Sequence, residues 1–204
     1  MMPAARRLTY LVVALALTVP GLAAEKRDDW QQPDRVVADL NLGSGAVVAD
    51  VGAGRGYFTF RLAAAVGEKG KVFATDIDAK ALAAVKAQAD KQGAKNVETV
   101  VSEPTDTKLA PASVDAALLC NVLHHVPEAQ RPALVQNVAQ ALKPGGFFFI
   151  VDWRDKPEVP FERDRHIPLE NLLKLATDAG LVLDAEFHYL KHQVFLRFRK
   201  PPQP

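Results

Sequence analysis

The feature that most constrains this chain is a glycine-rich turn placed directly after a short apolar run. Ala46 to Val51 is apolar apart from Asp50, and it opens into Asp50-Val51-Gly52-Ala53-Gly54-Arg55-Gly56. A buried strand followed by glycines and then by a helical pattern is the start of a βα unit, because glycine allows a tight turn and a close backbone approach. The signal repeats. Apolar runs at Lys71–Thr75, Val97–Val101, Val114–Leu119 and Phe147–Val151 follow at spacings of about 25–30 residues, with helical stretches between several of them. The expected helices are Pro33–Leu40, Tyr57–Val66, Ala79–Gln92, Pro127–Leu142 and Leu169–Ala179, with Gly93, Gly145-Gly146 and Gly180 just past three of their ends. Two last runs, Leu181–Phe187 and Gln193–Arg199, are joined by a link too short for a crossover and form an antiparallel pair. The pattern predicts an α/β fold: a doubly wound, mostly parallel sheet of seven strands with the last antiparallel, and helices on both faces.

At 204 residues the chain fits one such domain, assigned to residues 24–204. Residues 1–23 read differently. Arg6 and Arg7 precede an uncharged apolar run from Leu8 to Val19, Pro20 breaks it, and Gly21-Leu22-Ala23 supplies small residues for cleavage. This is the layout of a secretory signal peptide, and the run is short for a membrane span. The expectation is an exported protein, periplasmic or secreted, with no stable membrane insertion after cleavage. An uncleaved anchor is the alternative. A net charge of +1 carries none of the basic excess of a nucleic-acid binder. Cys120 is the one cysteine, so an intramolecular disulfide and a multi-thiolate metal site are both excluded.

In an open parallel sheet, ligands collect beyond the carboxyl ends of the strands where strand order reverses. The glycine turn lies there, and its spacing separates two cofactor classes. A dinucleotide fingerprint, G-x-G-x-x-G, would need glycine at position 57, where the chain has Tyr57. The third glycine is Gly56, giving G-x-G-x-G with Asp50 in front. Asp76 ends the second run, about 20 residues on, where an acid would meet ribose hydroxyls. Ile77 follows it. Asp78 is a candidate too, but stands where it would cap the helix beginning at Ala79.

Asp50, Gly52, Ala53, Gly54 and Gly56 resemble the first motif of the class I S-adenosylmethionine-dependent methyltransferases. Val101-Ser102-Glu103, the stretch from Val114 to Val126, and Leu142-Lys-Pro-Gly-Gly146 with the run after it resemble later motifs of that family, in order. The wider resemblance is to quinone C-methyltransferases and to small, often exported bacterial members. It implies S-adenosylmethionine as cofactor, held by Asp50, Gly52, Ala53, Gly54, Gly56, Asp76, Ile77, Glu103 and Asn121, with Glu103 on the adenine amino group and Asp106 as its competitor. It implies methyl transfer to a small-molecule acceptor.

Methyl transfer expels a neutral thioether, so alignment in a dry site supplies most of the catalysis, and a base is needed only for a protic nucleophile. Asn121, His124 and His125 follow the fourth run and are the catalytic candidates; either histidine could take a proton near neutral pH. The alternative is that the pair starts a helix or bonds the backbone. No third ligand accompanies them, so no metal site is expected. Asp152, Trp153 and Arg154 follow the fifth run and face the same mouth; Trp153 is either a lid and Arg154 a partner for an anionic acceptor, or both pack on the surface loop. Arg163, Arg165 and His166 lie in a polar insert that either covers substrate or is solvated. Cys120 reads as core. Two other functions stay open: a non-catalytic cofactor-binding domain on this fold, and an NAD-dependent oxidoreductase, which the glycine spacing opposes.

Overall fold

A computed structural model describes residues 27–155 and 166–202. The expected signal peptide and the insert residues Arg163 and Arg165 lie outside the described residues. Residues 27–31 are helical. After them come α1 (Pro33–Asp39), β1 (Val47–Val51), α2 (Thr59–Val66), β2 (Lys71–Asp76), α3 (Ala79–Gln92), β3 (Val97–Val101), β4 (Val114–Cys120), two 3₁₀ turns (Leu123–His125 and Glu128–Gln130), α4 (Arg131–Ala141), β5 (Leu142–Trp153), α5 (Leu169–Asp178), β6 (Val182–Phe187) and β7 (Gln193–Arg199).

The seven strands form one sheet in the order β3-β2-β1-β4-β5-β7-β6. The pairs from β3 through β5 are parallel, and β7 runs antiparallel to both β5 and β6. The chain moves outward from β1 through β2 to β3 and then returns to place β4 on the other side of β1, so strand order reverses between β1 and β4. The carboxyl ends of these two strands flank the glycine turn.

Alternate strand residues serve opposite faces. Val48, Leu118 and Phe149 pack with Val36, Leu62 and Val66 of α1 and α2, and Ala74 packs with Leu82 and Val85 of α3. Ala49, Leu119 and Ile150 pack on the other face with Leu134, Val138, Leu172 and Ala176 of α4 and α5. Each fully buried aliphatic or phenyl side chain contributes about 1.5–3 kcal/mol of transfer free energy, so the central strands are the rigid base of whatever they carry.

The structure moves three expected boundaries. The helix expected from Tyr57 starts at Thr59, because Gly56 sits at φ +85° and keeps Tyr57 and Phe58 in the turn. The helix expected from Pro127 begins as a 3₁₀ turn and becomes α-helical only at Arg131. Strand β5 starts at Leu142, with the Lys143-Pro-Gly-Gly146 segment inside it as an irregularity in the pairing with β4. Gly146 is required there: a Cβ would stand 2.9 Å from the Asp115 carbonyl oxygen. Lys143 also donates to the Asp115 carboxylate at 2.7 Å, which pins the segment.

Candidate active site

The glycine turn is shaped by its neighbours on both sides. The Gly52 and Ala53 amides donate to the Thr75 carbonyl at 2.8 and 3.0 Å, tying the turn to the end of β2. Gly52 lies at φ +72°, and a Cβ on it would stand 2.4 Å from a Val122 methyl. Gly54, at φ +54°, donates its amide to Asp76 Oδ2 at 2.7 Å, and a Cβ on it would meet no protein atom within 4 Å. Its outward side is open to a ligand. Gly56 differs: a Cβ there would press on the Phe60 ring at 2.9 Å, and Gly56 lines neither cavity described below. It packs the turn on α2 and α3, through Phe60 and Val85, in addition to the cofactor role that the resemblance implies for it.

Two cavities meet over this turn, of about 400 and 490 Å³, and Gly52, Asn121 and His125 line both. The first is bounded by Asp76, Ile77, Ser102, Glu103, Val122, Pro127 and Leu134. Its walls are largely apolar, and Ile77 is 63 % exposed beside it, an unusual cost for an isoleucine unless something covers it. Asp76 Oδ1 accepts from the Asp78 amide at 2.9 Å, and the Asp78 carboxylate caps α3 by accepting from the Lys80 and Ala81 amides. Glu103 is held at the rim by Lys108, whose ammonium lies 2.7 Å from Glu103 and 2.8 Å from Asp106. Those bonds raise the Lys108 pKa and lower that of Asp106. Asp106 also accepts from Asn137 and lies outside the cavity wall.

The second cavity is polar and aromatic. Asp50, Gly54, Arg55, Tyr57, Cys120, His124 and Trp153 line it, and the helical segment 27–31 closes it with Arg27 and Trp30. Asp50 is buried and accepts from Thr59 Oγ1 at 2.6 Å. Burial pushes its carboxyl up to about 6, against the pull of the Thr59 bond and of Arg27. The Arg27 guanidinium stands 3.7 Å over the Tyr57 ring, and Tyr57 donates to Asp28 on the same segment. Burial pushes the Cys120 thiol well above its ordinary value, which fits a core side chain and opposes a nucleophile.

The three catalytic candidates separate. Asn121 stands at φ +60°, and its amide is engaged on both sides: Nδ2 donates to Gln31 at 3.0 Å and Oδ1 accepts from Gln193 Nε2 at 2.5 Å. Gln31 Nε2 donates to Gln193 Oε1 at 2.7 Å, closing a ring of three amides that joins segment 27–31, the end of β4 and the start of β7. Asn121 thus ties these segments together where the two cavities meet. His124 pairs through Nδ1 with Asp152 Oδ1 at 2.6 Å, both side chains 1 % exposed. His125 packs against His124 with ring centroids 4.0 Å apart and planes tilted by 46°, and is the more exposed of the two.

Trp153 is a buried wall residue at the end of β5, not a lid; its ring lies 5.1 Å from that of Trp30. Arg154 turns away from both cavities to donate to the Leu190 and Gln193 carbonyls at 2.7 and 3.0 Å. His166 lies 3.2 Å from Asp155 and lines neither cavity. Among the described residues no group of three His, Cys, Asp or Glu is placed to hold a metal. The sequence reading missed Arg27, Trp30, Gln31, Thr59 and Gln193, whose places depend on contacts across the chain.

Comparison with known proteins points to a family. The family described as "Methyltransferase domain" matches residues 48–146, which hold the glycine turn, β2 with Asp76, and β4 with the His-His turn. A crystal structure of a SAM-dependent methyltransferase from Aquifex aeolicus superposes with a TM-score of 0.73 at 26 % identity, over 88 % of this chain and 97 % of that one. Over these spans the chain is similar to the class I S-adenosylmethionine-dependent methyltransferases. Two curated relatives are an arsenite methyltransferase of Halobacterium salinarum, 28 % identical over 158 residues, and a demethylmenaquinone methyltransferase of Bacillus mycoides, 26 % identical over 125 residues. These alignments cover 72 % and 61 % of this chain but only 39 % and 51 % of the relatives, so this methyltransferase spans about half or less of their length.

The residues present fit the cofactor of that family. Gly54 leaves its outward side open, Asp76 lines the first cavity, and among the described residues the buried Trp153 indole N–H has no partner.

Proposed function

We propose that this methyltransferase transfers a methyl group from S-adenosylmethionine to a small-molecule acceptor by in-line displacement. The observation that carries the reading is the junction at Gly52, Asn121 and His125, where the largely apolar cavity beside Asp76 opens into the aromatic cavity beside His124. Asp76 would hold the ribose hydroxyls, Ile77 and Glu103 would border the adenine, and the backbone of Gly52 to Gly54 with Asp50 and Arg27 would take the charged amino-acid end. When bound, the cofactor supplies an electrophilic methyl on a sulfonium. The chain's own part is to align the two reactants and keep water out, and segment 27–31 seals the aromatic side.

A second cavity of about 490 Å³ suits a compact acceptor rather than a polymer. The two curated relatives are named for small acceptors of different chemistry. Arsenite is thiophilic, and soft ions are held by several thiolates. This chain has one cysteine, buried with its thiol pushed up, which disfavours arsenite here.

Calorimetric titration of the chain with S-adenosylmethionine and with NAD tests the reading. Binding of the first and not the second is expected, and Asp76→Ala should weaken it by about tenfold or more, since a lost hydrogen bond to a buried or charged partner costs about 1.5–3 kcal/mol. Unchanged affinity removes Asp76 from the site, and binding of NAD instead overturns the reading.

A further inference from the structure

The turn after β1 carries one charged side chain between its glycines, and the turn fixes where that side chain starts. The Gly56 amide donates to the Ala53 carbonyl at 2.9 Å, closing a tight turn with Gly54 and Arg55 at its centre. Gly54 takes the left-handed backbone at φ +54°, and its own amide is bonded to Asp76 Oδ2 at 2.7 Å. Arg55 is therefore pinned on both sides, and it lines the cavity beside His124 as an exposed residue. Among the described residues its guanidinium has no ion pair and no hydrogen bond. Such a group offers a planar fork of N–H donors that matches the two oxygens of a carboxylate.

The other charged groups around this cavity are committed elsewhere. Arg27 lies 3.7 Å over the Tyr57 ring and is assigned above to the amino-acid end of the cofactor. Asp28 accepts from Tyr57 and from Arg61. Asp50, the acid in the wall, is buried and accepts from the Thr59 hydroxyl. Asp152 is paired with His124. Arg154, the cation expected at this mouth, donates to the Leu190 and Gln193 carbonyls instead. The rest of the wall is aromatic, with the Trp30 and Trp153 rings 5.1 Å apart and tilted by 38°. Aromatic faces take a flat apolar body, and they also attract cations, so the charges around them decide between an acid and an amine. An ammonium here would meet two guanidinium groups against one carboxylate, and that carboxylate is already bonded to Thr59. For a carboxylate the balance is the reverse.

From this arrangement, and resting on the methyl-transfer reading above, we propose that the acceptor is a compact carboxylic acid with a flat apolar body, and that Arg55 is the residue that recognises its carboxylate. The fork of the guanidinium meets both carboxylate oxygens with parallel hydrogen bonds, which fixes the orientation of the acid as well as its charge. The body lies against Trp30 and Trp153. A cavity of about 490 Å³ limits it to a small ring or a short chain. Standing exposed at the mouth, Arg55 meets the acid as it enters, and the pinned turn beneath it keeps the bound carboxylate at a set distance from the junction at Gly52. Arg55 chooses the acceptor and takes no part in moving the methyl group, so it is a specificity residue.

The test uses the full chain saturated with S-adenosylhomocysteine, so that the place of the cofactor's own carboxylate is filled. Three probes share one ring and differ in charge: benzoate, benzamide and benzylamine. Their affinities are measured by ligand-observed NMR titration. Benzoate should bind about tenfold more tightly than benzamide, the size expected of charge-assisted hydrogen bonds, and benzylamine should bind most weakly. Arg55→Gln should bring benzoate to the level of benzamide and leave the affinity for S-adenosylhomocysteine little changed. Its urea midpoint should match the parent's, because the guanidinium holds nothing in the folded chain. Arg55→Glu should reverse the order of benzoate and benzylamine. Equal binding of benzoate and benzamide, tightest binding of benzylamine, or binding of no probe at all overturns the proposal. So does a preference for benzoate that survives in Arg55→Gln, or a midpoint lowered by that change. If Arg55→Gln weakens S-adenosylhomocysteine as much as benzoate, Arg55 belongs to the cofactor and the proposal is overturned. Failure of S-adenosylhomocysteine to bind the unsubstituted chain, read before any probe is added, is instead the failure of the methyl-transfer reading.

Discussion

The two cavities that meet at Gly52 are built by different means. The one beside Asp76 is lined by the turn after β1, the end of β2, the loop after β3 and the stretch from Asn121 to Leu134, brought together by the neighbouring carboxyl ends of parallel strands. Its polar groups are rim groups, such as Glu103 with Lys108, and its apolar wall stands open at Ile77. The cavity beside His124 is closed by pairs far apart in sequence, with Gln31 bonded to Gln193 and His124 to Asp152. The first follows from the strand order alone, because every segment that lines it leaves or follows a parallel strand. The second exists only when the ends of the domain have come together, so it is also where the site responds to substitutions far from the glycine turn.

The largest effect is expected where the two cavities touch. Gly52→Ala places a Cβ 2.4 Å from a methyl of Val122, a stiff β-branched side chain, on a backbone at φ +72°. Overpacking and the left-handed penalty together should cost about 2–4 kcal/mol, read as a lower urea midpoint, and cofactor affinity should fall with it. Adding Val122→Ala should return the steric part and leave the backbone part. A Gly52→Ala chain as stable as its parent would mean that the turn is not pressed against Val122 and that the cavities are not coupled there.

Next in size is the response of the second cavity to pH. The Asp50 carboxyl is raised from 3.8 to about 6 by burial. Between those values the folded chain keeps a proton that the unfolded chain has released. Stability therefore falls as pH rises from about 4 to about 6, by up to about 3 kcal/mol for this one group. Asp50→Asn should flatten that slope and stabilise the unliganded chain at neutral pH, measured by urea denaturation at a series of pH values. It should also weaken the cofactor, whose sulfonium and ammonium favour an ionised Asp50. A slope that persists in Asp50→Asn assigns it to other groups.

The contrast between the cavities also explains what could be read from the sequence. The order of strands and helices follows from apolar runs and glycine stops, and the turn after β1, Asp76 and the cap at Asp78 are local signals that the structure places around one ligand-sized space. At Gly56, spacing cannot say whether a missing Cβ makes room for a ligand or for Phe60, on which a Cβ would press. Asn121 was placed among the site residues because it lies just past the fourth strand; that its amide bonds Gln31 and Gln193 could not be read there. Nothing within a few residues of Gln31 or Gln193 marks either as part of a site. Likewise, His124 and Asp152 were each visible as candidates, but their pairing depends on β4 and β5 being neighbours with Cys120 in register with Val151.

The smallest effect sharpens the comparison most. In the ring formed by Gln31, Asn121 and Gln193, each amide gives one hydrogen bond and receives one, and both glutamines are fully buried. Removing Gln193 with Gln193→Ala leaves a donor on Gln31 and an acceptor on Asn121 without partners, at a cost of about 1–3 kcal/mol. Removing Gln31 as well should cost less than the sum of the single changes, because the second truncation removes a group already orphaned. The coupling should be about 0.5–3 kcal/mol, as for residues in direct contact. Urea denaturation of the two single variants and the double variant gives that coupling, and additivity would mean that segment 27–31 does not depend on β7. The same variants separate the cavities functionally. If the ring only holds the aromatic side closed and aims the His124 turn, Gln193→Ala should reduce turnover of an acceptor more than it reduces binding of an adenosine-only ligand such as 5′-methylthioadenosine. Equal losses would mean that the ring supports both cavities alike, and the division drawn between them would not hold.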